Sequence, residues 1–146
     1  MIAPRSLPLL GVDSMAFVYH FEGNAEHGPA ASALLAAAEE GRCRLAASTL
    51  ALLEILVVPK RMGQGDLCRR YRDLLESFPN LDFHPLDADI AETAAELRAR
   101  YDLRTPDSIH LATALVQGAG AFASEDRRLR RVKEIDVVPL AAALAG

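Results

Sequence analysis

The sequence predicts an α/β domain: a mostly parallel central sheet of about five short strands with helices on both faces. Three observations carry this. Short apolar runs alternate with longer helical segments along the whole chain. The runs are continuously apolar rather than alternating, as strands covered on both faces require. No repeat, linker or low-complexity stretch interrupts the alternation, and 146 residues suffice for one core but not comfortably for two. A single domain over residues 1–146 is therefore expected.

Leu7 to Val12 is the first strand, weakened at its start by Pro8 and ending at Asp13. Ser14 to Phe21 has no breaker and predicts a brief helix, followed by a Gly23-Asn24 turn. Pro29 to Glu40 is rich in Ala and Leu and predicts a helix stopped by Gly41. Arg44 to Ser48 is the second strand. Thr49 is suited to cap a helix running to Pro59, and its apolar residues on every side predict burial all round, unless one side is wet. After a loop from Met62 to Gly65, Asp66 to Phe78 places Leu67, Tyr71, Leu74, Leu75 and Phe78 at helical spacing.

Leu81 to Leu86 is a weak third strand, and Asp87 caps a helix through Arg100 with Ile90, Ala94 and Leu97 inward. Thr105 is suited to be the N-cap, and Pro106 the first position, of a helix carrying Asp107 in its first turn. Gly118 and Gly120 end it. Ala121 to Ala123 reads as a buried strand, Ser124-Glu125-Asp126 as the opening of another helix, and Val137-Val138 as a last strand before an Ala/Leu tail.

The formal charge of −4 supplies no overall basic field, so binding to a polyanion must come from local patches or bound cations. Cys43 and Cys68 stand alone, which indicates neither a disulfide framework nor a zinc site and suits a reduced, cytoplasmic setting. No secretory signal is read. The apolar segment Leu45 to Val58 is shorter than the ~20 residues of a membrane span and contains Glu54, so it belongs to a core and no membrane association is expected.

Four acids stand out by position. Asp13 follows strand one and is equally suited to cap the next helix. Glu54 is the sole charge in its apolar helix, and glutamate is rarely buried without a partner. Asp107 and Asp126 lie at helix starts, where the dipole favours them. In a doubly wound sheet all four positions face the carboxyl edge of the strands, where ligands bind. Gathered there, four carboxylates repel unless a cation relieves them. Hard divalent ions, Mg²⁺ or Mn²⁺, take such oxygen ligands and serve phosphodiester hydrolysis by activating water and stabilising the leaving oxygen.

His110, one turn after Asp107, is read as a packed or supporting residue rather than a ligand. Ser14 and Ser124 are placed to hold the acids or to cap helices. Glu125 adjoins Asp126 but points elsewhere if both are helical. The run Arg127, Arg128, Arg130, Arg131 and Lys133 is either a solvated face or a set of phosphate contacts, with Arg127, Arg128 and Arg130 the candidates for the latter. No P-loop, nucleophile elbow or GxGxxG is present.

At these residues the sequence resembles PIN-domain ribonucleases, particularly the VapC-like toxins of bacterial type II toxin–antitoxin pairs. GVDSMAFVYHFEG resembles the first family motif with Asp13 as its acid, and STLALLEILVVP the second with Glu54. LRTPDSIHLATAL carries Asp107, and ASEDRRLRRV carries Ser124 and Asp126. The order and spacing of four motifs span nearly the whole chain. The resemblance implies a compact PIN-like fold and Mg²⁺- or Mn²⁺-dependent endoribonuclease activity with these four acids as catalytic metal ligands. It also implies homodimerisation and a small antitoxin partner. Met15 and Glu125 stand where many members have Asn, which bears on polar contacts around the acids. The competing expectation is a non-catalytic PIN-like module that binds RNA or a protein.

Overall fold

A computed structural model describes residues 7–144. The sheet has five strands, all parallel, in the order β3-β2-β1-β4-β5: β1 (Leu9–Val12), β2 (Arg44–Ser48), β3 (Leu81–His84), β4 (Ala121–Ala123) and β5 (Asp136–Val138). Six helices connect them: α1 (Ser14–Glu22), α2 (Gly28–Glu39), α3 (Leu50–Arg61), α4 (Gly65–Ser77), α5 (Ala88–Tyr101) and α6 (Thr105–Val116). The predicted fold class is the observed one.

The strands alternate between two cores. Leu10, Val12, Leu45, Ala47 and Ala123 point into one, packed against Phe17, Leu34, Leu35 and Ile55. Phe122 points into the other, with Ile90, Leu97, Leu111 and Leu129. Continuously apolar strands are thus explained: both faces are dry. Gly11 shows how closely the second layer approaches. A Cβ there would lie 2.4 Å from the Ala114 Cβ and 2.8 Å from Phe122, so only glycine lets α6 lie against β1.

The β1 register pairs Gly11 with Ala46 on one side and with Phe122 on the other. The chain first adds strands on one side of β1 and then on the opposite side, so the topological switch falls between β1 and β4. Beyond the carboxyl ends of those two strands lie Asp13 and Ser124. The fold thereby opens its crevice where the sequence puts its acids.

Several local expectations need correction. Thr105 is the first helical residue and Arg104 the N-cap, with no side-chain capping bond; Pro106 sits within the first two positions. Thr49 occupies the N-cap of α3 with helical backbone angles and makes no side-chain cap, while the neighbouring Ser48 hydroxyl accepts from the Leu50 N–H. The same helix passes through Pro59 to Arg61, since a proline in the last turn forfeits only one ladder bond. Nor is α3 buried all round: Ala51, Ile55 and Pro59 are buried, while Leu53 and Val58 are 60% and 62% exposed. Residues 127–131 form a short 3-10 turn rather than an α-helix, and Leu74 on α4 is largely exposed. Strand three stops at His84. The final two residues of the Ala/Leu tail lie outside the described residues.

Both cysteines are buried free thiols. Among the described residues, no helix is long and apolar enough to cross a membrane.

Candidate active site

Asp13, Glu54, Asp107 and Asp126 line one cleft of about 350 Å³ at the carboxyl edge of the sheet. Ser14, His110 and Ser124 line it too, as do Arg104, Tyr19, His27 and Glu125. A larger hollow of about 480 Å³ lies between α3 and α4, but its lining contains no carboxylate.

Asp13 performs both roles the sequence left open. One carboxylate oxygen accepts from the Met15 N–H at 3.0 Å and caps α1. The other accepts from the Ser124 hydroxyl at 3.1 Å. That hydroxyl oxygen in turn accepts from the Asp126 N–H at 3.1 Å. One buried serine therefore ties the end of β1 to the segment after β4, across the switch point. Burial pushes the Asp13 carboxyl above its ordinary value of 3.8, and the charge of Glu54 adds to the rise. His110, the Met15 N–H and the Ser124 hydroxyl pull it back.

Glu54 reaches the cleft from the second turn of α3, and its Oε1 lies 2.5 Å from Nε2 of His110. The imidazole is buried, and its Nδ1 has no hydrogen-bond partner. A carboxylate only accepts, so Nε2 carries the hydrogen and donates to Glu54. His110 thereby fixes the glutamate, in line with the supporting role read from its position.

Asp107 and Asp126 each face an arginine. Arg104 Nε donates to Asp107 Oδ2 at 3.1 Å. Arg128 grips Asp126 with Nε on Oδ1 at 3.0 Å and Nη2 on Oδ2 at 2.9 Å, and its backbone N–H also donates to Oδ1 at 3.0 Å. These Arg128 bonds hold the Asp126 carboxyl below its ordinary value of 3.8, against the upward push of partial burial. Of the basic run, only Arg128 meets the acids; Arg127 and Arg130 are exposed outside the cleft lining.

Tyr19 and His27, which complete the lining beside Glu125, were not read as site residues from the sequence. Glu125 Oε1 accepts from the Leu140 N–H at 2.9 Å, and Oε2 lies 3.7 Å from His27 Nδ1. The His27 and Tyr19 rings stand 4.9 Å apart. Burial and then the nearby charges of Asp13, Glu125 and Glu26 push the Tyr19 phenol upward. Arg104 was legible in principle, since it stands three residues before Asp107 and adjoins it on the helix surface. His27 carried no local signal. Met15 serves the site through its backbone N–H, which any residue but proline supplies, and its side chain is 39% exposed at the cleft mouth.

The donor set fits a hard divalent cation in kind: carboxylate oxygens lining one cleft at a sheet edge, without thiols. Among the described residues, no three His, Cys, Asp or Glu side chains stand close enough together to hold a metal ion in this conformation.

Fold and site together define an open, all-parallel α/β domain whose switch-point crevice is walled by carboxylates. The chain belongs to the PIN domain family, whose model matches residues 11–135. Solved structures of similar fold include a toxin–antitoxin complex from Klebsiella pneumoniae, 24% identical, covering 91% of this chain and 97% of that one with a TM-score of 0.67. VapBC2 from Rickettsia felis bound to a promoter DNA fragment is 14% identical, covers 90% and 98%, and scores 0.69. DNA-bound VapBC from Salmonella typhimurium is 16% identical, covers 92% and 98%, and scores 0.66. At these identities the likeness is one of fold. No curated protein matches the chain.

Proposed function

We propose that this protein is a divalent-metal-dependent endoribonuclease, the toxin of a toxin–antitoxin pair acting in the cytoplasm. The observation that carries the reading is the cleft in which Asp13, Glu54, Asp107 and Asp126 come together at the switch point of a PIN fold. These four residues would hold Mg²⁺ or Mn²⁺. When bound, such an ion supplies Lewis-acid polarisation of a phosphodiester and a more acidic water.

The chain's own residues do the rest. Ser124 holds Asp13 and the Asp126 backbone in fixed relation, and His110 holds Glu54. Arg128 and Arg104 stand at the mouth, where an RNA phosphate enters, and Arg127 and Arg130 extend the basic surface beyond it. The homodimer and the small antitoxin belong to the same proposal. Leu53, Val58 and Met62, exposed on and just after α3, offer apolar area for such a partner. Solved structures of like fold are toxin–antitoxin complexes, which supports this reading.

Incubating the purified protein with structured RNAs, in Mn²⁺ and in chelator, tests the proposal. Cleavage confined to the Mn²⁺ arm is expected. RNA retained intact but bound in both arms would favour the non-catalytic module.

A further inference from the structure

The acids of the cleft have been given two kinds of partner. Asp13 and Glu54 meet a hydroxyl and an imidazole. Asp107 and Asp126 meet guanidiniums, the second in a bidentate grip at 3.0 and 2.9 Å. Both arginine side chains are largely exposed, at 68% and 70%. Exposed ion pairs are weak, so these contacts can exchange at small cost. The carboxylates, by contrast, are placed by backbone. Asp107 is in the first turn of α6, and Asp126 remains capped by the Arg128 N–H even if that side chain leaves.

A second hollow of about 230 Å³ shares Arg104 and Asp107 with the cleft and is lined as well by Asp102, Arg128 and Arg131. With three arginines and two carboxylates around it, it gives displaced guanidiniums room beside the acids. We propose that Arg104 and Arg128 are resident counter-ions of Asp107 and Asp126, displaced by a divalent cation and then turned to the substrate phosphate. In the metal-free protein they quench repulsion among the acids. Once a cation takes the carboxylates, the same positive charges are left without partners at the mouth, ready for the anion that arrives next. Cation and phosphate then strengthen each other's binding, because each removes what competes with the other.

This inference rests on the metal-site reading above, and the experiment separates the two. Mn²⁺ dissociation constants are measured by the free-ion paramagnetic resonance signal for wild type, Arg104→Gln, Arg128→Gln and Arg70→Gln. Arg70 is exposed on α4 outside the cleft, so it reports a general charge effect. Arg104→Gln and Arg128→Gln should each bind Mn²⁺ about two- to fivefold tighter, as the loss of an exposed ion pair predicts. Arg70→Gln should match wild type.

A direct readout uses the arginine Nε–H resonances of wild type. Those of Arg104 and Arg128 should shift on addition of Mg²⁺ and shift again with inorganic phosphate, but not with phosphate in chelator. Unchanged constants in both variants, an equal gain in Arg70→Gln, or resonances indifferent to Mg²⁺ would overturn the exchange while leaving a metal site in place. Wild type that binds no Mn²⁺ at all overturns the metal-site reading and this inference with it.

Discussion

The tethered acids of the cleft, Asp13 and Glu54, and the arginine-paired acids, Asp107 and Asp126, meet one electrostatic problem in different ways. Asp13 is pushed up by burial and restrained first by His110 and then by the Met15 N–H and the Ser124 hydroxyl, whereas Asp126 is pulled down by a guanidinium clamped across it. Neighbouring carboxylates can be tolerated either by desolvating them toward the neutral form or by supplying a cation, and this crevice does both within one switch point. The tethered pair is fixed through Ser124 and His110 to the sheet edge and to α6. The arginine-paired acids are the exchangeable ones.

If that division is right, substitutions at the acids have the largest effect. Asp13→Asn and Asp107→Asn should each lower RNA cleavage by more than the roughly 10–100-fold that loss of a ligand-orienting residue costs. Near wild-type cleavage by a folded Asp107→Asn protein would break the comparison at its root. Next in size come the residues that orient the tethered pair. Ser124→Ala should weaken Mn²⁺ binding about 10–100-fold, because its hydroxyl holds both Asp13 and the Asp126 backbone. A Ser124→Ala constant equal to that of wild type would mean that Asp13 needs no tether.

The frame beneath the site is tested by Gly11→Ala. The new methyl would meet Ala114 and Phe122 at 2.4 and 2.8 Å, separating α6 from β1. Overpacking of this kind costs about 1–3 kcal/mol. At roughly 2–4 °C per kcal/mol, the melting temperature should fall measurably. An unaltered melt would show that the helix carrying Asp107 is not seated on β1 as described.

The smallest effects are in pH dependence, read in chelator. The folded Asp13 carboxyl lies above 3.8, so the native state holds its proton longer than the unfolded chain and stability falls as pH climbs through that window. Asp126 has the opposite sign: its folded value lies below 3.8, so its contribution is present above that pH and is lost as pH falls through the folded value. Denaturant melts should therefore show the downward slope above pH ~4 reduced in Asp13→Asn and kept in Asp126→Asn. Identical slopes in the two variants would erase the distinction between the tethered and the arginine-paired acids.

Much of this was legible in the sequence because it depends on local pattern. The apolar runs gave strands at nearly the observed bounds, Arg44 to Ser48 among them, and the acids' places after strands put them on one edge. What was not legible depends on neighbours distant in sequence. The apolar residues of α3 predicted burial on every side, yet the fold supplies cover for one side only, leaving Leu53 and Val58 in solvent. Thr105 has the chemistry of a cap, but the helix begins one residue earlier than a Thr105 cap requires. The His27–Glu125 approach joins a loop before α2 to the segment after β4 and left no spacing to find. Arg128 read as a phosphate contact because a sequence shows its charge and not the carboxylate on which it rests.

The central claim is that the four acids form one divalent-cation site. A thermal melt of wild type and Asp13→Asn at pH 7.5, in chelator and in excess Mn²⁺, tests it without any substrate. An ion bound only by the folded state stabilises it by about 2.7 kcal/mol at 100 times its dissociation constant. For a domain of this size that is a rise of roughly 5–10 °C in wild type. Asp13→Asn should melt at or above the wild-type temperature in chelator, having lost a carboxyl that burial disfavours, and should lose most of the Mn²⁺ response. A wild type indifferent to Mn²⁺, or an Asp13→Asn protein that responds equally, would contradict the account.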